Sequence, residues 1–406
     1  MTRCRIAIVG AGPAGLTAAL TAQHYGLHVR IFEQATDFCR VGGGLMMHRN
    51  GLRVLESLDL LDSIRPNMRF TQLFELWDSC GRRIAQSNLA ELPGPHNQAA
   101  VVLRYHLQEY LSQAARNSGI EVEFGRRLTG VTIDGHMANL QFVDGRDETA
   151  DIVIAADGIH SALRRVLWPD VKERVVGEAY LRLVTPVRTE SSVIREIWSR
   201  DGRRFGICPL PDQATYVFCT VPLGQWSDIR DRGLHKWIDS WRDFGPEAEA
   251  LLCAVRDWSG VNYSELREVE LDHWHRPPVF LVGDAAHAMT PNLGQGANSA
   301  MVDAFMLMTL LAESSGRPLP EVAAKHERIR LEAVTRTQRQ ARMIGRSAQL
   351  RSWPARSVRD WAITLQNAIP MMRRSFLKTM AGVDPEVEPY YMHSKFAETP
   401  GAISPV

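Results

Sequence analysis

Apolar and polar positions change rhythm several times along the chain, and each change marks an element. A four-residue apolar run, Ile6–Val9, is followed by glycines and then by AGLTAALTAQHYG, where small and apolar residues dominate. Continuous apolar runs of this length fit strands buried on both faces. A second strand ends at Glu33, so residues 4–33 predict a strand–turn–helix–strand unit. Leu52, Leu55 and Leu58 recur at helical spacing and predict a helix starting near Asn50. Another helix is predicted over 105–115. Shorter strands are predicted around Val122, over 128–133 and over 140–143, with Asp134-Gly135 and Asp144-Gly145 as turns. Residues 151–155 return to the buried-strand pattern.

The rhythm shifts at about residue 175. RRFGICPL and TYVFCTVP read as strands of a second sheet, with helices near Trp237 and Ala250. Val279, Phe280, Leu281 and Val282 resume the first pattern. The remainder is mostly helical, broken at Pro318, Pro354 and Pro370. An α/β fold is expected, with two subdomains interleaved in sequence.

Composition excludes more than it assigns. The 406 residues exceed what one small core usually spans. A net charge of +1 argues against a nucleic-acid binder. The six cysteines (Cys4, Cys39, Cys80, Cys208, Cys219, Cys253) form no C-x-x-C pair. They fit reduced thiols in a cytoplasmic enzyme better than a disulfide framework. Neither a signal peptide nor a membrane span is expected, and no metal cluster is apparent.

Three motifs carry the chemistry. The first is Gly10-Ala11-Gly12-Pro13-Ala14-Gly15, between strand and helix. There the glycines allow a tight turn, backbone approach to a pyrophosphate and close helix–strand packing. Glu33, followed by Gln34, ends the second strand, where a carboxylate accepts ribose hydroxyls. The second is Asp157-Gly158, in DIVIAADGIHSALRR. The third is Gly283-Asp284, opening GDAAHAMTPNLGQGANSAMVDA. A second glycine-rich loop entering a helix so far along implies a ligand long enough to span both, which points to FAD and redox chemistry. Asp284 sits where a carboxylate accepts hydrogen bonds from a sugar-alcohol chain. The helix after Pro291, Gly294 and Gly296 presents its positive end to a neighbour that gains negative charge, worth roughly 0.3–1 kcal/mol. Gly43 and Gly44, in VGGG, offer backbone that a flat ligand can approach. Arg104, at a helix start, reads either as a ligand contact or as a surface residue.

In this order the motifs resemble the class A flavoprotein aromatic hydroxylases over about residues 4–345. The resemblance implies a Rossmann-type FAD-binding domain (1–174 and 273–345), a sheet-based substrate subdomain (175–272) and a C-terminal helical segment (346–406). It implies FAD contacts from the first motif, Glu33, Arg104, the backbone of Leu128, Asp157, Gly158, Asp284 and the loop through Pro291, Gly294, Gly296, Ala297 and Asn298. NADH or NADPH would dock transiently, and O2 would be activated as a flavin C4a-hydroperoxide that attacks an aromatic or heteroaromatic substrate. Related heterocycle hydroxylases carry a substrate-binding tyrosine where Tyr216 stands; a buried structural role is the alternative. His48 reads as substrate-binding or structural, and His287 as a packing or flavin-side residue. Trp198, Arg204 and Cys208 are further pocket candidates. Three positions depart from the family pattern: Ala155, Arg49 and Val302.

Epoxidation, N-hydroxylation or Baeyer–Villiger insertion on the same fold, or a non-catalytic flavin-binding protein, are the rival readings. The absence of W-x-W-x-I-P speaks against a halogenase. Between Lys325 and Lys378 stand thirteen Lys or Arg against three Asp or Glu, interleaved with Trp353, Trp361 and Ile363. A helix packed on its own domain is favoured there over a membrane-surface segment.

Overall fold

The computed structural model describes residues 4–38, 43–189, 191–314 and 316–393. Val41, Gly42 and Cys39 lie outside the described residues.

A six-stranded sheet organises the first layer. Its order is His275–Arg276, Val279–Leu281, Ile152–Ala155, Ile6–Val9, Val29–Phe32, Glu121–Glu123. All neighbours are parallel except the edge strand His275–Arg276. The three apolar runs read from sequence are its central strands, buried on both faces. One face carries the helices Pro13–His24, Arg104–Asn117 and Gly296–Ala312, which share a core with Ile8, Ile31, Ile154 and Phe280. The other face packs on a three-stranded antiparallel sheet, Leu128–Asp134, Met137–Phe142 and Glu148–Ala150. This is the expected Rossmann-type arrangement.

The second layer is a seven-stranded sheet, ordered Val261–Glu268, Arg174–Thr185, Thr215–Pro222, Arg204–Pro209, Ile194–Trp198, Leu73–Asp78, Arg83–Asn88. Helices Leu234–Asp239 and Pro246–Cys253 cover one face through Trp237 and Leu251, with Trp241 from the segment between them. Two strands come from the chain before residue 174: Leu73–Asp78 pairs parallel with Ile194–Trp198 and forms a hairpin with Arg83–Asn88. The expected boundary at 174/175 therefore does not separate the two sheets. Every residue of Leu73–Asp78 is half-buried, so neither alternation nor a continuous apolar run marks it as a strand.

The prolines act at the N-terminal turns of the C-terminal helices. Pro318 precedes Leu319–Ala348, Pro354 sits in the first turn of Trp353–Ala368, and Pro370 opens Pro370–Ala381. Proline lacks the N–H that a first turn leaves unpaired anyway. The helix Trp353–Ala368 lies against the hairpin: Asn367 Nδ2 donates to Gln86 O at 3.0 Å, and Arg82 pairs with Asp360 at 2.8 Å. No helix among the described residues is long and apolar enough to cross a membrane.

Candidate active site

A continuous cavity of about 1930 Å³ runs from the first glycine turn, between the sheets, to the C-terminal helices. At one end the strand Ile6–Val9 delivers Gly10 at φ +101°, with its N–H on Phe32 O at 2.8 Å. A Cβ on Gly10 would strike Ala156 O, and one on Gly15 would strike Gly10 O. Gly10 and Gly15 thus hold the turn together and stand outside the cavity wall. Gly12 faces open space, with nothing within 4 Å of an added Cβ. It caps the helix Pro13–His24 without a side-chain hydrogen bond, so backbone N–H groups at that end stay available. The Glu33 carboxylate accepts from Ala11 N at 2.7 Å and Ala35 N at 2.8 Å at the cavity edge. Gln34 is exposed and outside the wall. Gln108, which the sequence reading did not single out, donates to Ala11 O at 2.5 Å and lines the cavity.

The third motif faces the same space. Gly283 at φ +60° turns the chain so that Asp284 stands exposed in the wall. Pro291, Gly294, Gly296 and Ala297 also line it. The helix Gly296–Ala312 has no side-chain cap, because Gln295 is engaged elsewhere: it accepts from Asn50 Nδ2 at 2.9 Å and donates to Met380 O at 2.8 Å. Asn298 is buried and acts as a brace. Its Oδ1 accepts from His48 N at 3.0 Å, and its Nδ2 donates to Met46 O and Gly294 O at 2.8 Å. Arg104 lines the cavity with its side chain exposed and no ion pair among the described residues, its N–H on Gly43 O at 3.1 Å.

Two predicted residues have their side chains engaged elsewhere. Leu128 is buried in the core between the six-stranded sheet and the three-stranded one. The Asp157 carboxylate caps the helix Ala162–Leu167, accepting from Ala162 N at 2.8 Å and Leu163 N at 3.3 Å. Its Oδ1 is buried without a partner, and burial pushes its carboxyl up from the usual range. Gly158, next in the chain, lines the cavity at φ +76°.

The far wall is the second sheet. Tyr216 and Phe218 line it from Thr215–Pro222, with Cys208, Trp198 and Arg204 from neighbouring strands. Thr220, two residues on, is buried instead and accepts from Arg204 N at 2.9 Å. Arg204 is buried among Glu196 at 2.5 Å, Asn292 Oδ1 at 2.6 Å and Glu178 at 3.5 Å. His48 is fully buried and stacks on Phe74 at 5.9 Å. Neither ring nitrogen meets a well-formed hydrogen-bond partner. Burial lowers its pKa to about 4, against a weaker opposing effect of the Leu293 backbone.

Comparison with known proteins decides the family. The FAD binding domain family matches residues 3–341. The chain belongs to the class A FAD-dependent aromatic hydroxylases. It is 31% identical to 3-amino-4-hydroxybenzoate 2-monooxygenase of Streptomyces cremeus, over 88% of this chain and 90% of that one. It is 28% identical to 2-heptyl-3-hydroxy-4(1H)-quinolone synthase of Pseudomonas aeruginosa, over 90% and 93%. Klebsiella pneumoniae HpxO, solved with FAD and uric acid, superposes with a TM-score of 0.83 at 24% identity, over 94% and 97%. The hydroxylase is thus an FAD-dependent monooxygenase, and NAD(P)H is the reductant typical of its family.

The wall fits FAD on its own geometry. Two helix N-termini without side-chain caps face one cavity, and at Gly12 and Gly158 an added Cβ would meet nothing within 4 Å. The hydroxylase also joins its motifs through residues not foreseen as connectors. Arg164, buried in ADGIHSALRR, donates to Ala285 O at 2.9 Å and Asp284 O at 3.4 Å. His287 is a packing residue: its Nε2 pairs with Asp303, whose Oδ1 accepts from Arg330 at 2.9 Å and whose Oδ2 accepts from Gly283 N at 3.3 Å. Burial raises the Asp303 carboxyl, but His287 and Arg330 outweigh it and hold it below the usual range. Arg49, one of the departures, donates to Pro93 O at 2.6 Å and pairs with Glu388 at 2.9 Å, tying the site's floor to the C-terminal helix Glu388–His393.

Proposed function

We propose that the hydroxylase adds one oxygen atom to an aromatic or heteroaromatic ring held between Tyr216 and His48. The observation that carries this reading is the continuity of the cavity. A phosphate-binding glycine turn stands at one end and an aromatic sheet wall at the other, with Gly43, Gly44, Met46 and the Gly294–Gly296 turn between them. The ring compounds in its relatives' names, a benzoate and a quinolone, support it.

FAD, when bound, accepts electrons from NAD(P)H and activates O2. In this assignment Gly12, Pro13 and the Pro13–His24 helix end would receive its pyrophosphate, and Glu33 its ribose. Asp284 would hold the ribityl chain, and Gly294, Gly296 and Ala297 would support the ring. Gly10 and Gly15 shape the turn, Asn298 and Asp157 brace its surroundings, and Arg104, exposed in the cavity wall, would contact the cofactor.

The chain's own part is to position the substrate and hold its proton. Burial pushes the Tyr216 phenol up, so it stays protonated and acts as a donor. His48 is neutral near pH 7, and its ring can accept a hydrogen bond from a ring hydroxyl. Their common neighbours Met46 and Phe74 are apolar and help to keep the ring dry.

The test is NAD(P)H consumption by the purified flavoprotein, with O2 and peroxide followed, across phenols, hydroxypyridines and quinolones. A product heavier by one oxygen supports the proposal. Stimulated oxidation yielding peroxide alone, with every ring tried, overturns hydroxylation of that class.

A further inference from the structure

Beyond the ring site the cavity continues into a groove between the Leu73–Asp78/Arg83–Asn88 hairpin and the last helices. Residues four apart face it: Pro354, Val358 and Ala362 from Trp353–Ala368, then Met372, Phe376 and Met380 from Pro370–Ala381. Spacing by four places each set on one helix face. At 1.5 Å per residue, the 354–362 stripe runs about 12 Å.

Three observations say what the groove takes. First, the cavity's volume of about 1930 Å³ exceeds the roughly 300–1,000 Å³ of one small-molecule site, so there is room for a ligand beyond FAD and a bare ring. Second, the charged side chains at this end are engaged with the protein itself. Glu75 pairs with Arg83 at 2.9 Å, Arg195 with Glu247 at 2.9 Å, Arg204 with Glu196 at 2.5 Å and Arg359 with Asp360 at 2.7 Å. Among the described residues these groove charges are paired; Arg182, nearer the ring site, donates to Ser264 Oγ. Third, the wall emerges at the surface without changing character. Met343, Val358, Met371 and Met372 line the cavity, yet are 62%, 65%, 78% and 42% exposed. An apolar rim open to water marks a place where apolar matter enters, and flexible methionines adapt to its shape.

We propose that this groove binds an unbranched apolar chain carried by the substrate ring, so that the preferred substrate is an alkyl-substituted aromatic. The inference rests on the ring hydroxylation proposed above. The tail lies along the 354–362 stripe, and burying it anchors the ring against Tyr216.

The experiment compares alkylphenols and alkyl-substituted hydroxyquinolines bearing methyl, butyl or heptyl chains, in the wild type, Val358→Asp and Met372→Asp. Both positions are partly exposed, so the variants should fold. A Val143→Asp variant, remote from the groove and 66% exposed at the wild-type residue, controls for added surface charge. In the wild type, kcat/KM should rise roughly two- to fourfold per added methylene, the upper figure being the factor for ~0.8 kcal/mol. The heptyl-to-methyl ratio should fall at least about tenfold in both groove variants and hold in the control. Ring hydroxylation with kcat/KM independent of chain length overturns the groove assignment and leaves the proposed function standing. No oxygenated product from any ring, short- or long-tailed, overturns the proposed function and the groove with it.

Discussion

The ring of Tyr216 lies on the backbone of Gly44: a Cβ added there would meet Tyr216 Cδ1 at 2.5 Å. Gly43 stands in the same relation, at 2.7 Å from Cε2. The glycines read from sequence as room for a flat ligand are also room for this side chain. Gly44→Ala should push the phenol toward the ring site. Hydroxylated product per NAD(P)H consumed should drop several-fold, with peroxide rising, while bound FAD changes little. Unchanged coupling in Gly44→Ala would separate Tyr216 from substrate positioning. Tyr216→Phe should shift coupling in the same direction, slowing hydroxylation more than flavin reduction.

Asp284→Ala should weaken FAD retention by roughly 10–100-fold, the range for losing a charged hydrogen bond of about 1.5–3 kcal/mol. Flavin released on dilution, followed by its fluorescence, measures this. Full occupancy with wild-type activity would remove Asp284 from the cofactor site.

Asp303 contacts no cavity, yet its replacement should be among the costliest in the chain. Asp303→Ala leaves Arg330 buried with only Asp384 at 3.0 Å and strips His287 and Gly283 N of their acceptor. Breaking a buried pair of this kind costs about 3–5 kcal/mol. The midpoint of urea unfolding should fall sharply, with little change in slope.

Buried histidines set an acid limit. Burial lowers His48 and His326 from 6.5 to about 4, and lowers His275 well below 6.5. Between pH 6.5 and 4 the unfolded chain therefore binds more protons than the folded one, and stability falls as pH falls. Each such histidine contributes up to about 1.4 kcal/mol per pH unit in that window. Asp303 adds a loss only below the ordinary carboxylate range, because its folded pKa is depressed. Unfolding free energies from pH 7.5 to 4.5 should show this slope, and His48→Gln should reduce it.

Much of this was legible in the chain because it rests on local backbone requirements. The tight turn at Gly10, the buried strands and the prolines opening the last helices are short-range facts. The Leu73–Asp78 hairpin was not legible, because its residues are half-buried and its partner lies more than a hundred residues away. Asp157 and Asn298 were recognisable as part of the site. Their side chains nonetheless brace a helix and a loop, which depends on rotamers and on neighbours from remote segments. Arg164 was visible in its motif, but its hold on the Asp284 and Ala285 carbonyls follows only once the two strands lie close in the sheet.

The strand order has a consequence for biosynthesis. Ile152–Ala155 lies between Ile6–Val9 and Val279–Leu281, so its second edge stays bare until the latter leaves the ribosome. From Ala155 to Leu281 the ribosome must add 126 residues, which takes roughly 6–25 s at bacterial-to-eukaryotic elongation rates. Through that interval the nascent chain carries an unpaired apolar strand edge, a template for misassociation, and an FAD cradle with one wall missing. Cofactor capture is therefore a late event, and yield should respond to chaperone supply during translation more than to flavin added early.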